Sequence, residues 1–291
     1  MRYTIENDVL KAEFDSHGAE LKSVINKATG FEYMWQADPA YWNRTSPVLF
    51  PFVGGVVNNE YRFEGQTYTI GQHGFARDSE FEYLADESDE SSIWFSLKDS
   101  PETYSKYPFH FVLEVGYILK GNELTFAWKV TNPGQDRADK TLYFSIGGHP
   151  AFNCDFKDGN YSLYFEGAKE IHHHGNLNGT ATREDLCLSL SDEKVVMKED
   201  FFDRSTYIVE NNQTQCIALI SNGKQFVTVK FDAPLFGVWS PIGKKAPFVC
   251  LEPWYGRTDY DDFCGDLTER EFGNCIGENE DWTREYKVIF A

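Results

Sequence analysis

The sequence predicts an all-β chain folded as a large antiparallel β-sandwich with few short helices, and three observations carry this. Short runs of alternating apolar and polar residues recur along the whole length, turn residues separate them, and helical periodicity is nearly absent. At 291 residues the chain exceeds a usual domain, but sandwiches and barrels often run to ~200–250 residues as one unit. No linker rich in Gly, Ser or Pro, fixed-period repeat or low-complexity tract divides it, so residues 1–291 are expected to form one domain. Aromatic residues make up 16% of the chain, an excess that favours strands and a sizeable core.

Taken in order, Leu10, Ala12 and Phe14 share one face of a strand, Asp15-Ser16-His17-Gly18 turns the chain, and a second strand follows near Ala19–Ile25. Tyr61–Ile70 repeats the hairpin around Glu64-Gly65. The clearest pair lies in Phe111–Val130, where Phe111, Leu113, Val115 and Tyr117 lead through Lys120-Gly121-Asn122-Glu123 to Leu124, Phe126 and Trp128. Further strands are expected near Ser91–Leu97, Thr141–Ile146, Tyr161–Phe165, Thr206–Val209, Cys216–Ile220, Phe226–Phe231, Phe248–Leu251 and Glu285–Phe290. Helix is expected only at Pro101–Tyr107 and Leu267–Phe272, and many strands with so little helix argue for a sandwich. Asp86-Glu87-Ser88-Asp89-Glu90 reads as a solvated loop.

Charge and cysteine usage narrow the function. With 27 Lys and Arg against 46 Asp and Glu, the net charge of −19 repels nucleic acid and anionic membranes, so neither is an expected partner. A small anion is not excluded, because a local arginine pair outweighs a distant field. Charges at Arg2, Glu6 and Asp8 stand where a signal peptide would need an apolar core and no stretch reaches ~18 uninterrupted apolar residues, so a cytoplasmic location is expected. The six cysteines show no C-x-x-C pair, which suits reduced thiols. His172-His173-His174 resembles a metal site, but consecutive residues on an extended chain point to alternating faces and cannot all meet one ion. No metal site is expected there.

Four segments mix ionisable residues and aromatics, three of them with glycine, where strands should end, and such strand ends and loops are where sites are built. Phe144–Asn153 runs an apolar strand into Gly147-Gly148-His149-Pro150 and sets a titratable imidazole at its end. Val249–Tyr255 ends an apolar strand at Glu252 beside Trp254, and partial burial there should raise the carboxyl pKa toward that of a general base or acid. Gln72–Asp78 carries His73 and Arg77 around Gly74, and Trp42–Gly55 carries Arg44 ahead of two prolines that forbid a central strand. Each residue alone fits an ordinary structural role: a histidine or glutamate capping a loop, an arginine at the surface.

Together, Gly-Gly-His-Pro-Ala-Phe-Asn, Gln-His-Gly-Phe-Ala-Arg-Asp and Leu-Glu-Pro-Trp resemble the motifs of the aldose 1-epimerase (galactose mutarotase) family, nearest its bacterial lactose-operon-associated branch. The resemblance covers nearly the whole chain. It implies a sandwich of the galactose mutarotase type with sugar bound in an open cleft across one sheet. It gives His149 the place of the general acid, Glu252 that of the general base and His73 that of a substrate-orienting histidine, and aligns Asp203 with an aspartate that holds sugar hydroxyls. Trp254 is expected to stack on the sugar. Around Arg44 the chain departs from the galactose enzymes and, with Arg77, resembles hexose-6-phosphate 1-epimerases, whose arginines hold a phosphate.

The expected activity is therefore interconversion of the α and β anomers of a hexose, with or without a phosphate, by acid–base ring opening and closure and with no cofactor. Two alternatives stand beside it: a non-catalytic sugar-binding or sensor protein on the same fold, and a glycoside hydrolase using Asp203 with Glu252. A monomer or homodimer is equally compatible. Gly147 and Gly148 are expected to keep the strand end bare for a pyranose ring.

Overall fold

The computed structural model describes residues 1–291 apart from Asn178 and Ser205, with Leu177 described by its backbone alone. Nine strands form the larger sheet, in spatial order Lys194–Val196, Tyr161–Phe165, Cys216–Ser221, Lys224–Phe231, Asp281–Phe290, Glu123–Thr131, Val112–Lys120, Ser92–Lys98 and Glu82–Tyr83. Six form the smaller: Tyr207–Val209, Leu235–Trp239, Phe248–Tyr255, Ile146–Gly148 and Val48–Leu49 lie side by side, and Ala151–Asn153 also pairs with Phe248–Tyr255. The paired strands of both sheets run antiparallel. Arg2–Glu6, Leu10–Asp15 and Glu20–Asn26 make a separate three-stranded sheet.

The two large sheets are held face to face by a shared core, as the period-two apolar pattern requires. Val227, Val229, Tyr286 and Val288 of the larger sheet share one buried cluster with Phe236, Val238, Val249 and Leu251 of the smaller, and Leu10, Ala12 and Phe14 join it. Phe248–Tyr255 is buried on both faces along its whole length. Its odd-numbered residues Val249 and Leu251 face this core, which commits Cys250, Glu252 and Trp254 to the opposite face of the smaller sheet.

Most expected strands are present, with instructive departures. The strand expected across Thr141–Ile146 breaks at Ser145: Leu142–Phe144 pairs with Asn274–Ile276, while Ile146–Gly148 crosses into the smaller sheet. At the break the Ser145 N–H donates to the Pro51 carbonyl at 2.8 Å. Val48–Leu49, flanked by Pro47 and Pro51, is an edge strand, the sheet position that tolerates proline. Three strand regions carried too weak an apolar alternation to stand out: Arg2–Glu6, where only Ile5 is buried; Leu235–Trp239; and the hairpin of Glu170–His173 with Leu186–Ser189. Pro101–Lys106 is a helix closed by a Ser100 capping box, and the second expected helix reduces to a turn of 3₁₀ helix at Leu267–Glu269.

The proposed purpose of the two glycines is corrected here. A Cβ on Gly148 would stand 2.5 Å from the hydroxyl of Tyr286, which rises from the opposing sheet, so this glycine admits a core phenol. A Cβ on Gly147 would stand 2.6 Å from Cδ1 of Trp254. Neither glycine bares backbone for a ligand; each makes room for an aromatic side chain. Gly148→Ala should therefore cost about 1–3 kcal/mol of stability through overpacking, read as a lower denaturation midpoint at unchanged m-value. An unshifted midpoint would show that Tyr286 gives way freely.

Candidate active site

The floor of the cleft is the outer face of the smaller sheet, and Glu252 is its centre. Glu252 lies opposite Gly237 and Trp254 opposite Gly147 in the strand register. A Cβ on Gly237 would come within 2.5 Å of Cζ2 of Trp254, so the indole spans the bared backbone between Gly237 and Gly147. Two small apolar clusters flank the carboxyl group: Leu49, Val53, Ala181, Ile208, Leu235 and Trp254 on one side, Trp35, Ala151, Ala246, Phe248 and Cys250 on the other. Glu252 is 1% exposed within this setting. Burial pushes its carboxyl pKa well above the usual range.

His149 meets it across the neighbouring strand end. The His149 N–H donates to the Pro47 carbonyl at 3.2 Å and the Ala151 N–H to the Thr45 carbonyl at 2.9 Å, tying this segment to the Arg44 loop. That loop is itself pinned, because Oε1 of the buried Glu20 accepts from the N–H groups of Thr45 and Ser46 at 2.7 and 2.9 Å. The Trp42 ring then stacks on the imidazole, with centroids 4.8 Å apart and planes 29° apart, while Trp239 meets it edge-on at 5.3 Å. Trp42 is held in turn by the Trp35 indole N–H, which donates to its carbonyl at 2.9 Å.

Nε2 of His149 lies 3.3 Å from Oε2 of Glu252. Burial, reinforced by the nearby Arg77 guanidinium, lowers the His149 pKa from 6.5 to about 3. An isolated imidazolium and an isolated carboxylate are both disfavoured in such a setting, so the two groups hold one proton between them, with the neutral carboxyl and neutral imidazole favoured in the empty cleft. Nδ1 of His149 is buried with no hydrogen-bond partner among the described residues.

His73 enters from a turn in which it and Gly74 both have positive φ, at 67° and 69°. Two hydrogen bonds hold it: its N–H donates to the Gly54 carbonyl at 2.8 Å, and Nδ1 accepts from the Gly54 N–H at 3.0 Å. With Nδ1 occupied as acceptor, the neutral ring carries its proton on Nε2. Burial, followed by the charges of His149, Arg77 and Arg44, keeps its pKa well below 6.5 and the ring neutral. Its ring centroid is 5.5 Å from that of His149.

The two arginines separate. Arg77 lines the cleft and donates through Nη2 to the Gln72 carbonyl at 2.7 Å. Arg44 is not among the cleft-lining residues; its Nη2 pairs with Asp78 at 2.7 Å, and the same carboxylate stands 3.7 Å from Nε of Arg77. The expected two-guanidinium clamp is thus not presented to the cleft. Asp203 is also displaced from its expected place: it sits in an exposed turn closed by its N–H to the Asp200 carbonyl, outside the cleft wall. Glu252 is the sole carboxylate among the described lining residues.

The cleft holds about 160 Å³. Besides Glu252, His149, His73, Arg77 and Trp254, its wall includes Trp42, Trp239, Gln72, Asn176, Thr206 and Thr258. Gln72 adjoins the His73 motif and Trp42 stands two residues before Arg44, so proximity could have found both. Asn176, Thr206 and Thr258 come from segments with no distinguishing composition. Cys250 brings its sulfur within 4.8 Å of ligand atoms of His149 and Glu252. It packs among Trp35, Ala151, Ala246 and Phe248 and is not among the residues lining the cleft, and burial holds its thiol pKa high.

The aldose 1-epimerase family model matches residues 1–286. Protein LacX (chromosomal) of Lactococcus lactis subsp. lactis is 32% identical over 298 residues, covering 98% of this chain and 94% of the relative. A galactose mutarotase related enzyme from Lactobacillus acidophilus superposes with a TM-score of 0.92 at 34% identity, covering 100% of this chain and 97% of that one. For a galactose mutarotase-like protein from Lactobacillus casei ATCC 334 the TM-score is 0.90 and the identity 31%, with 100% of both chains covered.

The buried imidazole has a measurable signature. The unfolded chain takes up a proton at His149 near pH 6.5 and the folded chain only near 3, so unfolding takes up protons in between and stability falls as the pH drops. Between about pH 6 and 4, wild type should lose ~1.4 kcal/mol more per pH unit than His149→Gln, measured by denaturant titration at each pH. Equal slopes would place a charged imidazolium in the folded protein.

Proposed function

Because the chain belongs to the aldose 1-epimerase family, we propose that it interconverts the α and β anomers of a free hexose, with Glu252 and His149 exchanging the proton that opens and closes the ring. The observation that carries this is the buried Glu252–His149 contact of 3.3 Å on the cleft floor. A binding module has no need of a proton acceptor paired with a proton donor. Mutarotation needs both, since one proton leaves the anomeric hydroxyl as another reaches the ring oxygen.

Ring opening with Glu252 as base and His149 as acid starts from the ion-paired form. Burial favours the neutral pair in the empty cleft, so the proton on Glu252 crosses to His149 as the sugar docks. Glu252 then accepts the anomeric proton while His149 gives its own to the ring oxygen. Rotation of the exposed aldehyde presents its other face, and the reverse transfers close the ring. His73, its Nδ1 occupied by Gly54, offers Nε2–H to a sugar oxygen, and Arg77 supplies a second donor. Trp254, Trp42 and Trp239 provide apolar surface for the C–H faces of the ring.

Two features favour a free hexose. The space of about 160 Å³ lies below the ~300–1,000 Å³ of drug-sized pockets and suits one sugar ring. The engagement of Arg44 by Asp78 leaves Arg77 as the lone guanidinium on the wall among the described residues. Glycoside hydrolysis fits less well, because its usual chemistry places two carboxyl groups across the scissile bond and the described wall supplies one.

Polarimetry on freshly dissolved α-glucose and α-galactose tests the assignment. Glu252→Gln and His149→Asn should each lower the enzymatic rate by at least ~10²-fold while far-UV circular dichroism stays that of wild type. Arg44→Ala should leave the rate on free sugars close to wild type. Unchanged rates in both pair variants would overturn the acid–base assignment, and preferential acceleration of a hexose 6-phosphate would overturn the free-sugar assignment.

A further inference from the structure

The histidine run that sequence periodicity removed from consideration as a three-residue metal site divides in the structure as alternation requires. His173 turns inward and is buried, while His172 stands exposed on the outer face of a two-stranded hairpin. Across that hairpin His172 lies directly opposite Cys187 in the register of Glu170–His173 with Leu186–Ser189. Directly opposed residues share a face, and Glu170, two positions before His172, shares it too. A nitrogen, a sulfur and a carboxylate are therefore brought together on solvent-accessible backbone, apart from the cleft.

We propose that Glu170, His172 and Cys187 form a zinc-binding site on this hairpin, with Asp185 orienting the His172 ring. Nε2 of His172 is 3.4 Å from Oε1 of Glu170, Sγ of Cys187 is 3.7 Å from Oε2 of Glu170, and ligand atoms of all three lie within 4.8 Å of one another. Zinc bonds of ~2.0–2.1 Å to N and O and ~2.3 Å to S separate N from O by ~3.4 Å and S from O by ~3.6 Å around a tetrahedral ion. The observed N–O and S–O spacings fall near these values, each to a different oxygen of Glu170, so a small rotation of the carboxylate would bring one oxygen into range of both neighbours.

Asp185 supplies the second element of the site. Its Oδ1 stands 3.2 Å from Nδ1 of His172, on the ring edge away from Glu170. A proton held there leaves the Nε2 lone pair aimed at the proposed ion position between Glu170 and Cys187, the arrangement by which carboxylates orient metal-bound imidazoles. The mixed N, O and S donor set selects a borderline ion such as Zn²⁺ over Mg²⁺ or Ca²⁺, which take oxygen ligands. The fourth position faces solvent. Binding would staple the two strands of the hairpin that leads, through His174, to the cleft-lining Asn176.

Cobalt substitution tests the site on the tag-free, metal-stripped chain kept reduced with a phosphine. Co²⁺ should bind with one equivalent giving a thiolate-to-cobalt charge-transfer band, and Zn²⁺ should displace it. Cys187→Ser should abolish the band, and His172→Gln should weaken binding at least ~10-fold. Asp185→Asn should keep the band while weakening binding by ~10–100-fold, as loss of an orienting partner does. Cys250→Ser should leave the titration unchanged, and unaltered circular dichroism in each variant establishes that folding is not the cause. No charge-transfer band in wild type, a band that survives Cys187→Ser, or one lost in Cys250→Ser would each overturn the proposal.

Discussion

A carboxyl group and an imidazole held 3.3 Å apart on an apolar floor can accommodate one shared proton far more readily than two independent charges. Glu252 is placed there by strand alternation, since Val249, Leu251 and Tyr255 of the same strand face the sandwich core. His149 is placed by a neighbouring strand end whose loop is tied down through Glu20. The fold thus sets one partner on a strand buried along its whole length and the other on a braced loop, and the two together fix the separation of the pair.

The two faces of the smaller sheet make different demands on the same short segment. Gly148 yields space to Tyr286 from the larger sheet, and Gly147, with Gly237, yields space to Trp254 on the cleft side. Trp254 can therefore spread across the strands and shield the base of Glu252, while Trp42 and Trp239 enclose His149 from the loop side. The aromatic excess of the chain serves the core first, and a few of its rings also make the desolvated setting that shifts the proton affinities of the pair.

The electrostatics of the cleft are local. A net charge of −19 is spread over the whole chain, yet among the described residues the wall gathers one carboxyl group, one guanidinium and two histidines held neutral by burial. Asp78 engages Arg44 behind the wall and stands near Arg77, which tempers the positive field in the cleft. The proposed neutral, hydroxyl-rich ligand would be recognised there by hydrogen bonds and ring faces.

The sequence by itself determined the sandwich, because period-two alternation and turn chemistry are local and survive without tertiary knowledge. It also singled out His149, Glu252, His73, Arg77 and Trp254, which the structure brings to one cleft, although the strand expected to end at Glu252 runs on through Tyr255. Only the tertiary structure decided what depends on partners remote in sequence. Arg44 and Asp203 carry suitable chemistry, but their position relative to the wall is set by Asp78 and by an exposed turn. Gly148 could not be interpreted without Tyr286, 138 positions away by numbering (286 − 148), nor His172 without Cys187 on the opposing strand. A residue type states which chemistry is available; burial and the neighbour across the sheet, both products of long-range packing, decide which of it is expressed.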